Sequence, residues 1–358
     1  MSTRRIPCVI MRGGTSRGPY FKASDLPSDI AERDRVLLAV MGSPHPLQVD
    51  GIGGTYIQTS KVAIVSPSQR DDADVDYLFA QVSVTEPIVD TKPNCGNMLA
   101  GVGPFAIEEG MVPVEGPETR VRVFNVNTGA LVEETVQTPD GRVTYEGDQA
   151  IDGVNGTAAP IRMAFTNTEG AVTGALFASG NRQEEIEGIA VTLIDNAMPM
   201  MMLRAEAVGL AGDEPPEDID AMRDLYTRLE RMRLEAGRRM GLGDVSGLVT
   251  PKIGLLSAPR RDGTITSRYL TPHECHRSHA ATGAICLATA CSMDGTVAAD
   301  VIGGPVRRSG TIVIEHPSGQ IEVAVELAPG ADGDTRVARA AILRTARRIF
   351  EGQVFVPD

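Results

Sequence analysis

A single cysteine stands out in residues 93–110, which read PNCGNMLAGVGPFAIEEG. Cys95 lies between Asn94 and Gly96, directly before a stretch that is predicted to form a helix. The free N–H groups and partial positive charge of a helix N-terminus favour a thiolate there. Gly96 lets a ligand approach the backbone, and Asn94 and Asn97 offer donors for a carboxylate or enolate oxygen. We predict a chemical role for Cys95; the alternative is a buried structural cysteine.

A lysine opens an apolar segment in residues 58–65, which read QTSKVAIV. If Lys61 points into a cleft, partial desolvation favours its neutral amine and makes it a useful general base. The alternative is an ordinary solvated lysine at the end of a strand. The residues alone leave both interpretations open.

Polar residues near two glycine-bearing turns are candidates for binding an anionic substrate. The glycines of residues 12–18, RGGTSRG, predict a loop with exposed amides. This loop lacks the GK[ST] ending of a P-loop, and no GxGxxG motif lies in a βαβ context, so no nucleotide is expected. Loop amides and helix N-termini suit the carboxylates of a di- or tricarboxylate. The predicted substrate-binding residues are Arg12, Thr15, Ser16, Ser60, Asn94, Gly96, Asn97, His279, Thr282 and Gly283.

Three histidines repeat at three-residue spacing in residues 272–282, PHECHRSHAAT. Together with Glu274 or Cys275 they suggest a metal site. No second group with ligand spacing accompanies them, so we expect no metal and no cofactor. Among the other cysteines, Cys286 and Cys291 are predicted to pack inside a helix, and Cys8 and Cys275 receive no role.

Composition limits the classes of function. The 358-residue chain carries a net charge of −13, which argues against nucleic acid as a partner because phosphate binding needs a basic face. No apolar run approaches the roughly 20 residues of a membrane span, and the N-terminal apolar run is too short for a signal peptide. Five cysteines without a CxxC pair are typical of a reduced protein. We therefore expect a cytoplasmic location, no nucleic acid and no membrane.

Periodicity predicts strands and helices in both halves of the chain. Strands are predicted at residues 8–11, 61–66, 75–85, 120–125, 130–136, 191–194, 252–258, 264–270, 311–315 and 320–327. Helices are predicted at residues 25–41, 98–110, 216–241 and 280–292. The many glycines and prolines, 38 and 23, favour a strand-rich fold with several hairpins.

The two halves follow one plan, which suggests an internal duplication. In each half a glycine-bearing turn opens a helix of small residues, at residues 94–97 and 280–283, and a hairpin follows. We predict domains at residues 1–185, carrying Lys61 and Cys95, and 186–358, with exchange of a strand between the halves allowed. A pseudo-twofold axis would place the site in a cleft between the halves, lined by both helix N-termini. Homodimer formation is left open.

Several long motifs resemble the PrpF family of allylic isomerases and tautomerases. They are MRGGTSRGPYF, VMGSPHPLQVDGIGG, TSKVAIV, DVDYLFAQV, NCGNMLAGVGPFAIEEG, IDNAMP and HAATGAICLATA. The resemblance covers essentially the whole chain. It implies an α+β, diaminopimelate-epimerase-like fold of two pseudo-symmetric domains, each a β-barrel-like sheet around a central α-helix. It also implies catalysis by the lysine of the TSK motif and the cysteine of the NCGN motif, here Lys61 and Cys95.

One departure from related epimerases bears on the reaction. Epimerases of this fold carry a second cysteine at the start of the second central helix, where this sequence has Ala280. The resemblance therefore implies a cofactor-free isomerase that moves a proton along an allylic or keto–enol system. The expected substrate is an unsaturated tricarboxylate, with 4-oxalomesaconate first and 2-methylaconitate, aconitate or 3-methylitaconate as alternatives. Residues 53–56, GGTY, differ from the GGAD-like tetrapeptide of the tautomerases and keep these alternatives open.

Three other classes of function compete with this prediction. They are a protein that only binds a tricarboxylate, a thiol-dependent racemase, and a metal-dependent hydratase built on the histidine cluster. Nothing in the sequence suggests a DNA-binding or signalling module that would report binding by a binding protein. The second thiol of a racemase is missing, and only one histidine cluster supports a hydratase.

Overall fold

The computed structural model of the chain describes residues 3–92, 94–166, 168–271, 273–303, 309–329 and 335–357. The chain divides into two compact units, unit 1 (Met1–Met163 with Leu343–Asp358) and unit 2 (Ala164–Ile342). The boundary predicted from the sequence, between residues 185 and 186, lies later in the chain than this division, because residues 164–185 pack with the second unit and residues 343–358 with the first.

Strands dominate the described residues. The strands are β1 (Thr3–Gly13), β2 (Ser16–Lys22), β3 (Lys61–Pro67), β4 (Val75–Val82), β5 (Val89–Asp90), β6 (Glu118–Asn125), β7 (Ala130–Gln137), β8 (Gln149–Ala150), β9 (Thr157–Ala158), β10 (Ile161–Thr166), β11 (Glu184–Ile186), β12 (Ile189–Asp195), β13 (Pro199–Arg204), β14 (Lys252–Ser257), β15 (Ile265–Leu270), β16 (Ser309–His316), β17 (Gly319–Pro329), β18 (Thr335–Arg344) and β19 (Ala346–Pro357). The helices are α1 (Ile30–Met41), α2 (Gly96–Leu99), α3 (Val102–Glu108), α4 (Pro216–Asp220), α5 (Arg223–Arg239), α6 (Ala281–Cys291) and α7 (Val297–Ile302).

The sheet of unit 1 alternates antiparallel and parallel pairs. β1 pairs antiparallel with β19 and with β2, β2 pairs parallel with β3, and β3 pairs antiparallel with β4. β4 then pairs parallel with β6, and β6 pairs antiparallel with β7. Helices connect the parallel partners. α1 lies between β2 and β3 in the sequence, and α2 and α3 lie between β4 and β6, because parallel strands need a crossover connection.

Unit 2 repeats this order of pairings. From β12 to β17 the successive pairs are antiparallel, parallel, antiparallel, parallel and antiparallel, as from β1 to β7 in unit 1. β14 therefore occupies the position of β3, and α6 follows β15 as α2 follows β4 and β5. The two units have the pseudo-symmetric plan that the internal duplication predicted.

One face of each sheet is covered by a helix that precedes the central strand. In unit 1, Val62 and Ile64 of β3 belong to an apolar cluster with Leu37 and Val40 of α1. In unit 2, Ile253 and Leu255 of β14 belong to an apolar cluster that includes Met232 of α5. Because successive strand residues point to opposite faces, Lys61 and Lys252 point to the other face of their sheets.

Several predicted elements differ in the structure. The helix predicted at 25–41 begins only at Ile30. The helix predicted at 98–110 is broken into α2 and α3, because Pro104 has no N–H for the carbonyl of Ala100. The helix predicted at 216–241 is likewise two helices, α4 and α5, separated at residues 221–222. The loop predicted at 12–18 is a tight β1–β2 hairpin, with Gly13 opposite Ser16 and Arg12 opposite Arg17.

Candidate active site

The amine of Lys61 and the thiol of Cys95 lie in contact within unit 1. Lys61 is the first residue of β3, and its Nζ donates a hydrogen bond to Cys95 Sγ at 3.4 Å. Cys95 is the residue that precedes α2 and is 7% exposed, whereas Lys61 is half-buried. The Lys61 Nζ also lies 5.1 Å from the centroid of the Phe79 ring. A basic group and an acidic group are therefore in contact at the start of β3.

Glycines of the β1–β2 hairpin allow the backbones next to Lys61 and Cys95 to pack closely against the hairpin. A Cβ at residue 18 would lie 1.8 Å from the carbonyl oxygen of Lys61, and a Cβ at residue 13 would lie 2.3 Å from the carbonyl oxygen of Asn97. Gly14, whose φ is +50°, turns the hairpin against the side chain of Asn97. The RGGTSRG segment is thus a packing element that fixes β3 and the start of α2 against each other.

Replacing Gly18 with alanine is expected to lower the free energy of unfolding by about 3 kcal/mol or more, because the Lys61 backbone must move to admit the methyl group. Activity should fall with it if the Lys61 amine has the predicted catalytic role. Urea unfolding of Gly18→Ala measures the effect. Gly116→Ala is the matched control, because a Cβ there meets nothing within 4 Å, and its change should stay within about 0.5 kcal/mol. Equal stability of the two variants would contradict this packing role.

Two buried tyrosines hold the chain around Cys95. Tyr77 Oη donates to the carbonyl oxygen of Cys95 at 3.2 Å, and Tyr20 Oη donates to the carbonyl oxygen of Met98. Burial raises the pKa of both tyrosines well above their ordinary value, with the nearby Cys95 adding to the effect. Both hydroxyls therefore stay protonated and keep donating. They anchor the backbone of α2 so that the Cys95 side chain faces Lys61.

A buried carboxyl group lies at the break between α2 and α3. Glu134 Oε2 accepts a hydrogen bond from Gly103 N at 2.9 Å, which caps the start of α3. The other oxygen, Oε1, has no partner among the described residues. Burial raises the pKa of Glu134 to about 8, against the opposing effect of the Gly103 N–H. Glu134 is therefore mostly protonated at neutral pH.

This raised pKa predicts a pH dependence of stability. The folded protein keeps the Glu134 proton above pH 4.5 while the unfolded chain loses it, so the stabilisation is full at low pH and is lost as pH rises towards about 8. Between pH 5 and 9 the free energy of unfolding of the wild type should fall, relative to Glu134→Gln, by on the order of 3 kcal/mol.

Urea unfolding across this pH range tests the pH dependence. Glu146→Gln, at an exposed position, is the control and should follow the wild type. Parallel profiles for the wild type and Glu134→Gln would show that the Glu134 proton makes no such contribution.

Comparison with known proteins places the chain in a family. The family model described as PrpF protein matches residues 3–357. The chain belongs to the PrpF protein family. It is 51% identical to 4-oxalomesaconate tautomerase of Pseudomonas putida, over 99% of this chain and 97% of the relative. It is 49% identical to (4E)-oxalomesaconate Delta-isomerase of Novosphingobium sp., over 98% and 97%.

Solved structures agree with this assignment. The structure of a methylitaconate-delta-isomerase aligns with a TM-score of 0.87 at 39% identity, over 99% of this chain and 96% of that one. More distant epimerase and racemase structures, at 15–16% identity and TM-scores of 0.53–0.55, share the fold alone. The predicted family, the epimerase-like α+β fold and the isomerase class are confirmed.

Several other predicted residues lie close to Cys95. Asn97 Nδ2 donates to Thr15 Oγ1 at 3.0 Å, which links α2 to the hairpin turn. Asn94 Oδ1 accepts from Asn125 Nδ2 at 2.6 Å, so the Asn94 amide N–H groups remain available as donors. Thr15 is exposed, and its hydroxyl can still donate to a ligand. Asn94, Gly96 and Asn97 lie within two residues of Cys95 in the chain, and a role in binding stays a prediction for these residues and for Thr15.

Other predicted binding residues of the PrpF-family protein have structural partners. Arg12 Nη1 donates to the carbonyl oxygens of Gly14 and Thr345 and to Thr345 Oγ1. Ser60 is fully buried, accepts from Gln48 Nε2 and donates to the carbonyl oxygen of Val82. Ser16 is buried in β2. These bonds give Arg12 and Ser60 roles in holding the hairpin and β3, and a part in substrate binding stays a prediction for all three.

In unit 2 the predicted residues gather at the start of α6. His279 Nε2 lies 3.3 Å from Ser267 Oγ, and the His279 and Tyr269 rings are 4.9 Å apart. A Cβ at Gly283 would lie 2.3 Å from the Tyr269 ring, so glycine is required there for packing. Thr282 is half-buried beside it. Ala280 precedes α6 as Cys95 precedes α2, so an alanine stands in unit 2 where unit 1 has its cysteine.

The three clustered histidines do not form a metal site among the described residues. In the part of the chain that the structure describes, no group of three or more His, Cys, Asp or Glu side chains is arranged to hold a metal ion. Burial raises the pKa of Cys8 and of Cys275 to about 11, so both thiols are weak nucleophiles. Nor is any helix in the described segments both long and apolar enough to cross a membrane.

Sequence reasoning missed the residues that support the Lys61–Cys95 pair. Tyr77 and Phe79 lie two residues apart in β4, on the face that Lys61 shares, because Ala63 pairs with Phe79. The alternation in VDYLFAQV predicted this strand, but a strand pattern does not show what its inward residues contact. The burial of Glu134 could not be recognised from the sequence, since a single acidic residue in a strand is usually exposed.

Proposed function

We propose that this protein is an isomerase that moves a proton along the conjugated system of an unsaturated tricarboxylate, with 4-oxalomesaconate as the first candidate. The observation that carries the proposal is the 3.4 Å contact between Lys61 Nζ and Cys95 Sγ. Two relatives at about half identity are named for reactions of oxalomesaconate. A base and an acid in contact are the two groups that a proton shift between carbons needs.

Proton abstraction is assigned to Lys61. Its neutral amine takes a proton from the carbon next to the C=C or C=O group, and the electron pair of the broken C–H bond enters the conjugated system. The resulting dienolate carries its charge on oxygen, where the donors of Asn94 and Thr15 and the first amides of α2 stabilise it. The Phe79 ring stabilises the ammonium that forms on Lys61.

Proton return is assigned to Cys95. Its thiol gives a proton to the far carbon of the dienolate, which completes the isomerisation without oxidation or reduction. The ammonium of Lys61 then passes its proton to the Cys95 thiolate through the hydrogen bond between them. This last transfer restores the starting pair, so each turnover leaves both groups as they began.

A second candidate reaction is the allylic isomerisation of 3-methylitaconate. The observation that favours it is the TM-score of 0.87 to a methylitaconate-delta-isomerase. The same two groups would serve, because an allylic shift also removes a proton at one carbon and returns one at another. The two candidates differ in the substrate that the binding residues accept.

Incubating the purified protein separately with 4-oxalomesaconate, 2-methylaconitate, aconitate and 3-methylitaconate tests the proposal. Ultraviolet absorbance follows the conjugated system, and proton NMR identifies the product. We expect isomerisation of 4-oxalomesaconate at a rate proportional to the protein concentration and unchanged by a chelator. Turnover of 3-methylitaconate alone would favour the second candidate. Binding without any isomerisation would overturn the proposal in favour of a binding protein.

A further inference from the structure

Three arginines lie opposite one another on adjacent strands of unit 1. Arg12 of β1 is paired with Arg347 of β19 on one side and with Arg17 of β2 on the other. Directly opposite residues of antiparallel strands point to the same face with their Cβ atoms about 5 Å apart, so the three side chains form a row across the sheet. We name these three residues the arginine row. Like charges directly opposite each other are destabilising, so an anion lying against the row would stabilise it.

No carboxylate among the described residues compensates the charge of the arginine row. Arg17 and Arg347 have no hydrogen bond or ion pair in the part of the chain that the structure describes. Arg12 uses only its Nη1 atom, which donates to the carbonyl oxygen of Gly14 and to the carbonyl and hydroxyl oxygens of Thr345. Its Nε and Nη2 groups remain available to a ligand together with both other guanidinium groups.

The next arginine in β19 is compensated in full. Arg348 points to the opposite face from Arg347, because successive strand residues alternate. Its guanidinium donates to three carboxylates, those of Glu108, Glu109 and Glu351. Burial lowers the pKa of Arg12, and the charge of Arg347 lowers it further. The charges of the row therefore act on each other, whereas the charge of Arg348 is balanced by acidic neighbours.

The arginine row lies on the face of the sheet that α1 covers, whereas Lys61 points to the other face. Ile10 packs against the apolar cluster of α1. The irregularity between β1 and β19 skips a residue of β19 only, so β1 alternates regularly from Ile10 to Arg12. Phe21, four residues after Arg17 in β2, belongs to the same apolar cluster. The row is therefore a different position from the Lys61 amine.

A glycine loop borders one end of the arginine row. A Cβ at Gly54 would lie 2.7 Å from Arg17 Nη2, so the missing side chain lets the loop backbone lie against this guanidinium. Arg17 is half-buried there, and Arg347 at the other end of the row is exposed. One end of the row is thus held in place by the loop, and the other end is open to a ligand from solvent.

We propose that the arginine row binds a small anion that carries two or more oxyanion groups, either carboxylates or phosphates. A guanidinium presents a planar fork of N–H donors that matches either group through two hydrogen bonds. Neighbouring strands are about 4.8 Å apart, so the row spans about 10 Å, which suits a small molecule. In a chain of net charge −13, such a row is a local positive position that attracts an anion.

Calorimetric titration with tricarballylate, a tricarboxylate that cannot isomerise, and with pyrophosphate at constant ionic strength tests the assignment. We expect Arg17→Gln and Arg347→Gln each to weaken the binding of the preferred probe by about tenfold or more. Arg5→Gln is the matched control and should bind as the wild type does. Arg5 belongs to β1 but lies over the Phe355 ring on the opposite face, so its loss changes the net charge equally. The tighter probe identifies carboxylates or phosphates as the ligand groups.

Thermal unfolding gives a second measurement. Without a probe, Arg347→Gln should be at least as stable as the wild type, because it removes repulsion between opposite like charges. With the preferred probe, the Tm of the wild type should rise, since a ligand that binds only the folded protein stabilises it. The Tm of Arg347→Gln should rise much less at the same probe concentration.

The outcomes separate the arginine row from the proposed function. Lys61→Met should retain the binding event that Arg347→Gln weakens, and loss of that event in Lys61→Met would overturn a separate site. Equal affinity of the wild type, Arg17→Gln and Arg347→Gln for both probes, or no binding by the wild type, would overturn the row even if the protein isomerises 4-oxalomesaconate. Weakened binding in both variants of a protein that isomerises none of the candidate substrates would support the row and overturn the proposed function. If Arg17→Gln does not fold, the exposed position of Arg347 decides the question alone.

Discussion

Replacing Lys61 with methionine is expected to lower kcat/KM for the isomerised substrate by about 10³-fold, because the variant has no base at the start of β3. Methionine keeps the length of the side chain and its contact with the Phe79 ring, so the fold should be unaffected. Initial rates followed by absorbance measure the loss. NMR in D₂O should show that the variant no longer exchanges the substrate proton with solvent.

Lys22→Met is the matched control for this substitution. Lys22 lies in β2 of the same unit, and its ammonium is bound to Glu109 at 2.8 Å. Its loss removes one partly exposed salt bridge, which is worth about 1 kcal/mol or less, and should leave kcat unchanged. A Lys61→Met variant that remains as active as Lys22→Met would rule out Lys61 as the base.

Replacing Cys95 with serine is expected to lower kcat by about 10²-fold with little change in KM. Serine keeps the size of the side chain, but its hydroxyl is a far weaker acid than a thiol and returns the proton slowly. Because Lys61 is intact, the variant should still exchange the abstracted proton with D₂O faster than it forms product. The ratio of exchange to isomerisation, measured by NMR, should therefore rise well above its wild-type value.

Cys8→Ser controls for the general effect of removing a thiol. Cys8 is buried in β1, and its raised pKa of about 11 makes it unreactive. This variant should keep wild-type kcat and the wild-type ratio of exchange to isomerisation. If Cys95→Ser retained full kcat, the thiol would only shape the pocket and the proton would have to return by another route.

The sequence pointed to Lys61 and Cys95 as candidate reacting residues but did not place them together. Lys61 and Cys95 are 34 positions apart, and no periodic pattern relates a strand start to a helix start at that separation. Their contact depends on Gly13 and Gly18, whose missing side chains admit the backbones of Asn97 and Lys61. From the sequence we predicted a loop with exposed amides at these glycines. A glycine that allows a turn and a glycine that allows a close neighbour cannot be told apart in a sequence.

Tertiary packing decided the features that local patterns could not predict. The apolar run at 98–110 predicted one helix. Pro104 was a local signal for the break, but the position of the Tyr20 hydroxyl beside Gly101 was visible only in the structure. Glu134 is a carboxyl group in a strand, and its burial follows from the contact with Gly103 N. Lys252 had the same position as Lys61 in its own half, but only the strand pairings showed that equivalence.

A double-mutant cycle in kcat/KM tests most directly whether Lys61 and Cys95 act as one proton-transferring pair. The cycle compares Lys61→Met, Cys95→Ser and the variant that carries both substitutions, each checked for folding by circular dichroism. If the two groups act as a unit, the double variant should be no slower than Lys61→Met alone within about threefold, because without the base the acid has no dienolate to protonate. Losses that multiply, to about 10⁵-fold in the double variant, would show two independent groups and contradict the shared pair.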